Sequence, residues 1–234
     1  MMRFFEVAFH PKPEPEKLDT GLRYTDVLFG FVIKELFLRL QNWPQLDTTV
    51  KLHLIVGTIL VLGSWIGFRR SLYRTRYQLK FFNLPFFQFV VDQLMLILYF
   101  RIAVLTDGMG KTTLSPDDLA GLTTRLVMYI FGLYFIWDWL AMFMVWARLT
   151  NKNPRYPKIP DPPKAQNSPT QDTTSTEVAQ TTNWAGLIIT GVSLTTFIVL
   201  WTCGGYFTPN KQLLLTGTLL LLYRWAKEIK TSWS

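Results

Sequence analysis

Residues 184–207 read WAGLIITGVSLTTFIVLWTCGGYF. These 24 positions contain no Asp, Glu, Lys, Arg or His. A helix that crosses the hydrocarbon core of a bilayer needs about 20 mainly apolar residues. In lipid every backbone N–H and C=O must be paired internally, which a helix does within one segment. The stretch therefore predicts a membrane-spanning helix. Apolar blocks recur at roughly 22–41, 52–68, 84–105, 120–147 and 212–226. The expected fold is an all-α integral membrane protein with about six transmembrane helices.

Composition agrees with this. Apolar residues make up 49% and charged residues only 17%, against about 25% charged in an average soluble domain. So apolar a chain does not fit intrinsic disorder. The net charge of +8 raises nucleic acid as a partner. The bases, however, sit between apolar blocks, and no nucleic-acid partner is expected. One cysteine, Cys203, and two histidines, His10 and His53, exclude an intrachain disulfide and a zinc site of Cys and His ligands. Cys203 lies in an apolar run and reads as a small packing hydrophobe. The N-terminal stretch lacks the apolar core of a secretory signal.

The loops orient the helices. Residues 69–83 hold Arg69, Arg70, Arg74, Arg76 and Lys80 and no acid, which predicts a cytoplasmic loop. Residues 106–119 hold Asp107, Asp117 and Asp118 against Lys111, which predicts an outer loop. With six spans both termini are cytoplasmic, and only Lys51, Lys111 and Lys211 fall in outer loops. If the first segment lay flat on the inner surface, the five-base loop would emerge outside, so a spanning first segment is expected. The aromatic-interleaved bases Arg69, Arg70, Arg74, Arg76 and Lys80 suit anionic lipid headgroups, because they abut two membrane helices. The domain plan has four parts. Residues 1–21 are a cytoplasmic N-terminal segment, and 22–147 a four-helix membrane part. Residues 148–183 are a Pro-rich cytoplasmic linker, expected to be extended and disordered. Residues 184–234 are a two-helix hairpin with a basic tail.

Charges inside the apolar blocks are the main functional clue, because they are costly there and face a bundle interior or water. Asp26, Lys34, Glu35, Asp92 and Asp138 are the candidates. Arg23, Asp26, Gly30 and Lys34 recur at helical spacing, and Glu35 and Arg39 form an i,i+4 pair. By depth, Asp26, Asp92 and Asp138 fall in the inner half. Glu35, Arg39, Arg101 and Arg125 fall in the outer half, with Lys34 near the middle. Either these charges are ion pairs that fix helix register, or they line a polar pathway along the first helix. No catalytic or metal constellation is present, no cofactor is implied, and the chain is not expected to be an enzyme. DGMGKTT at 107–113 has the tail of a phosphate-binding loop, but Leu105 stands where its leading glycine belongs. His53 reads as an interfacial residue; Ser64 lies 11 positions away, about 16 Å along one helix, too far for a hydrolytic pair. Gly63 and Gly67, four apart, mark a close-contact face on the second helix.

The stretch Tyr24-Thr25-Asp26-Val27-Leu28-Phe29-Gly30-Phe31 resembles the Phe-Ser-Asp-x-Val-Phe-Ala-Ile motif in the first helix of a family of six-helix potassium channels found in lysosomes and bacteria. The resemblance implies an oligomer whose first helices line the pore, with an apolar constriction just after the motif, here Phe31. The pattern differs at Thr20, where the family has an arginine, and at Lys34 and Glu35, which interrupt an apolar pore helix.

Two functions fit these residues. One is a small oligomeric ion channel or transport protein whose first helix lines a polar pathway through Asp26, Phe31, Lys34, Glu35, Asp92 and Asp138. The other is a non-catalytic membrane anchor, assembly factor or sensor that recruits a cytoplasmic protein through its basic loop and Pro-rich linker. Expected partners are the bilayer with its anionic headgroups, further copies of the chain and that cytoplasmic protein. The expected location is a plasma or bacterial inner membrane, crossed several times.

Overall fold

The computed structural model describes residues 20–72, 84–150 and 174–232. Among the described residues there are six α-helices and no strand: α1 (Thr20–Leu40), α2 (Thr48–Leu72), α3 (Leu84–Ala103), α4 (Pro116–Thr150), α5 (Thr174–Thr202) and α6 (Pro209–Ser232). Four stretches are long and apolar enough to cross a membrane: Thr48–Arg69, Phe86–Ala103, Pro116–Phe143 and Trp184–Thr202. They belong to α2, α3, α4 and α5. α1 and α6 are helices at the expected positions with a more polar composition. α5 begins at Thr174, inside the stretch assigned to the linker from its composition. Residues 151–173 of that linker, the N-terminal segment before Thr20, and Arg74, Arg76 and Lys80 lie outside the described residues, as does the side chain of Arg70.

Local chemistry sets the helix ends. Ser115 caps α4: the Asp118 N–H donates to Ser115 Oγ at 3.1 Å, and the hydroxyl donates back to Asp118 Oδ2 at 2.6 Å. This is a reciprocal capping arrangement with Pro116 at the first helical position and two acids at the positive end of the helix dipole. The segment before it is a tight turn rather than a phosphate cradle. Asp107 Oδ1 accepts from the backbone N–H groups of Met109 and Lys111 at 2.9 and 2.7 Å. Gly110 adopts a φ of 76°, a left-handed conformation that glycine takes without a Cβ penalty. Short 3₁₀ turns, Trp43–Gln45 and Gly204–Tyr206, join α1 to α2 and α5 to α6.

α4 is the hub, packed against α2, α3, α5 and α6, while α1 lies against α2 and α3. Aromatic rings fill the centre: Phe131 of α4 meets Phe197 of α5 at 4.5 Å and Tyr223 of α6 at 4.7 Å between centroids. Lipid tails are as apolar as these rings, so close fit and polar contacts must hold the helices together. Such contacts are present. Thr49 bonds Asn210 at 2.8 Å and Thr124 bonds Thr216 at 3.2 Å, tying α2 and α4 to α6. The hydroxyls of Ser193, Thr195 and Thr196 on α5 donate to their own i−4 carbonyls. An apolar helix can thus carry hydroxyls without leaving them unpaired. His53 is not interfacial. It is 0% exposed, with Nδ1 at 2.8 Å from Thr123 Oγ1 and Nε2 at 3.1 Å from the Ile102 carbonyl.

Candidate functional site

The residues proposed for a pathway begin on α1, which has two faces. Thr25, Phe29, Val32, Leu36 and Arg39 are buried, at alternating steps of four and three. That spacing keeps them on one face of a helix. Val27, Gly30, Phe31, Lys34, Phe37 and Leu38 are exposed. Gly30 and Lys34 therefore share the outward face expected from their spacing. Asp26 does not share it; it turns toward α2.

Asp26 is held from two sides. Trp65 Nε1 donates to Oδ1 at 3.0 Å, and Arg69 Nη2 reaches Oδ2 at 3.0 Å. The Arg69 guanidinium also lies 4.9 Å from the centroid of the Trp65 ring. Thus Arg69, read from the sequence as a headgroup contact, is engaged by an acid of α1. At the other end of α1, Arg39 is 5% exposed. Its Nη1 donates to the Glu35 carboxylate at 2.8 Å and to the Glu35 carbonyl at 2.7 Å. Its Nε donates to the Thr106 carbonyl at 2.8 Å. The pair predicted by i,i+4 spacing is formed, and it also caps the chain as it leaves α3. Between Asp26 and Arg39 lies about 20 Å of helix.

Asp138 forms the third pair. Its Oδ2 accepts from Lys227 Nζ of α6 at 2.9 Å and from Thr190 Oγ1 of α5 at 2.5 Å. One carboxylate therefore joins three helices. The sequence hinted at neither partner: Lys227 reads as part of the basic tail, and Thr190 as one hydroxyl among many on α5. Asp92 is buried on α3. Lys34 is exposed, and among the described residues it has no hydrogen bond or ion pair. Phe31 is 57% exposed beside it. The structure thus brings Phe31 and Lys34 together on one surface. It places Asp26, Glu35 and Asp138 in three separate ion pairs.

A further polar group sits between α2, α3, α4 and α6. Ser64 donates to the Leu60 carbonyl at 2.6 Å and contacts the Tyr134 hydroxyl. Tyr134 meets the Tyr99 hydroxyl at 2.7 Å. Arg224 of α6 lies against Gly63 and Gly67 and, with Ser64, Tyr134 and Tyr223, lines a small pocket. The Gly63–Gly67 face is therefore a seat for a guanidinium rather than a helix-on-helix backbone contact. The larger groove, along Phe135, Trp184, Ile188, Gly191, Val192 and Val199, is apolar. No His, Cys, Asp or Glu cluster suited to a metal ion occurs among the described residues.

No family model, curated protein or solved structure matches the chain.

Proposed function

We propose that the chain is a polytopic membrane protein that assembles into a small homo-oligomer and acts as a channel or transport protein, with α1 lining a polar pathway. In this proposal all six helices span, both termini are cytoplasmic, and the membrane is a plasma or bacterial inner membrane. One observation carries it: Lys34 stands on the outward face of α1, between the levels of Asp26 and Arg39, with no partner among the described residues. A lysine facing lipid near the centre of a bilayer costs about 2.5–3.5 kcal/mol. A water-lined axis shared between copies removes that cost. Phe31, one turn earlier on the same face, then narrows the path, as the resemblance to the six-helix potassium channels implies.

The test is reconstitution of the full chain into liposomes with an ion-flux assay. It is combined with oxidative cross-linking of Phe31→Cys in a Cys203→Ser background. Flux together with a cross-linked ladder supports the proposal. A second proposal, a non-catalytic membrane anchor or assembly factor that recruits a cytoplasmic partner, is favoured by the three ion pairs. They occupy Asp26, Glu35 and Asp138, acids that a cation path would use. Absence of flux, with a defined protein retained on the full chain and lost on deleting 151–173, supports that second function.

A further inference from the structure

We propose that the pathway along α1 conducts small monovalent inorganic anions and not potassium. This rests on the proposal that α1 lines a pathway, and it names the ion.

The inference follows from which charges are already neutralised. Asp26 is paired with Arg69 at 3.0 Å, and Glu35 with Arg39 at 2.8 Å. Neither carboxylate offers a free negative charge to the outward face. Asp92 is buried within the bundle, and Asp138 is bound to Lys227 on α6. Among the described side chains of α1, Lys34 is left as the unpaired charge. α3, which packs beside α1, exposes Phe87, Val90, Leu94, Ile97 and Phe100. The exposed charge there is Arg101, near the end of the helix. Among the described side chains of α1 and α3, the exposed charges are therefore both positive.

Copies arranged about an axis would repeat Lys34 as a ring. Rings of lysine or arginine favour anions, as rings of acid favour cations. Like charge repels an entering cation most where the walls are apolar and the local dielectric is low. Phe31, Val27 and Phe37 supply such walls. Gly30, where an added Cβ would meet nothing within 4 Å, leaves open space one turn from Lys34 for an ion that has kept part of its water.

The experiment is the reversal potential of currents through the full-length protein in planar bilayers under a potassium chloride gradient. The wild type is expected to reverse toward the chloride equilibrium potential. Lys34→Gln is expected to lower the chloride-over-potassium permeability ratio by on the order of tenfold, and Lys34→Glu to invert it. Reversal of the wild type toward the potassium potential overturns the anion assignment and leaves the pathway along α1 standing. Anion currents that are indifferent to both Lys34 variants also overturn it. No current from preparations in which Phe31→Cys cross-links overturns the pathway itself, and the ion assignment with it.

Discussion

Arg224 of α6 lies across Gly63 of α2 so closely that a Cβ at 63 would stand 2.7 Å from its Nε. At Gly67, one turn on, a Cβ would stand 2.8 Å from Nη1. The two glycines together hold one guanidinium. The far end of an arginine can swing aside, so Gly63→Ala should cost less than about 1 kcal/mol. Gly63→Leu fills the seat and pushes α2 from α6, with a cost of about 1–3 kcal/mol for overpacking. Thermal midpoints in detergent measure both. If Arg224 is the obstacle, adding Arg224→Ala to Gly63→Leu recovers part of the loss, and the coupling is read from a double-mutant cycle. An unshifted midpoint in Gly63→Leu would rule out the contact.

Asp138 and Lys227 meet at 2.9 Å, with side chains only 16% and 25% exposed. Removing one partner leaves the other charge poorly solvated, which is the costly way to break such a pair. Asp138→Asn should therefore destabilise by about 1–3 kcal/mol, and Lys227→Gln by a similar amount. The double variant should lose less than the sum, with a coupling of about 0.5–3 kcal/mol. Strict additivity would mean that the pair contributes nothing.

These contacts mark how far the amino-acid order reaches. Helix positions were legible because an uncharged run such as 184–207 has one economical solution in lipid. The Glu35–Arg39 pair was legible because its spacing is local. Arg69 on Asp26, Lys227 on Asp138 and Arg224 on Gly63 were not. Each joins helices distant in sequence, and spacing along one helix says nothing of which neighbour it meets. His53 shows the same limit. Its place at the head of an apolar block suggested an interface, but Thr123 and the Ile102 carbonyl, each from another helix, satisfy both ring nitrogens inside the bundle. On α1, Asp26, Gly30 and Lys34 lie four apart, but a turn takes about 3.6 residues, so each step drifts round the helix and Asp26 faces α2 while Lys34 faces outward.

The turn before α4 depends on one glycine and tolerates change at its neighbour. Gly110 has a φ of 76°, and an added Cβ would strike the Leu46 side chain. Gly108 has open space around its Cβ position. Gly110→Ala should cost at least about 1–2 kcal/mol from the left-handed backbone alone, while Gly108→Ala should stay within about 0.5 kcal/mol. Equal midpoints for the two variants would contradict the turn as described.

Phe29 and Phe31 test the two faces of α1 against each other. Phe29 is 3% exposed and meets Tyr99 and Phe68 at 5.9 Å between ring centroids. Phe31, two residues on, is 57% exposed. Truncating a buried phenylalanine costs about 3–5 kcal/mol in a well-packed core. Phe29→Ala should fall near the lower end, since the reference state in lipid already hides apolar surface. Phe31→Ala should leave the stability of the single chain within about 0.5 kcal/mol. Its effect belongs elsewhere: if copies meet or conduct along this face, Phe31→Ala should change the oligomer distribution or the flux while the unfolding midpoint of the monomer stays put. A monomer destabilised as much by Phe31→Ala as by Phe29→Ala would mean that α1 is turned the other way, and that the lysine and glycine of its outward face are packed inside the bundle.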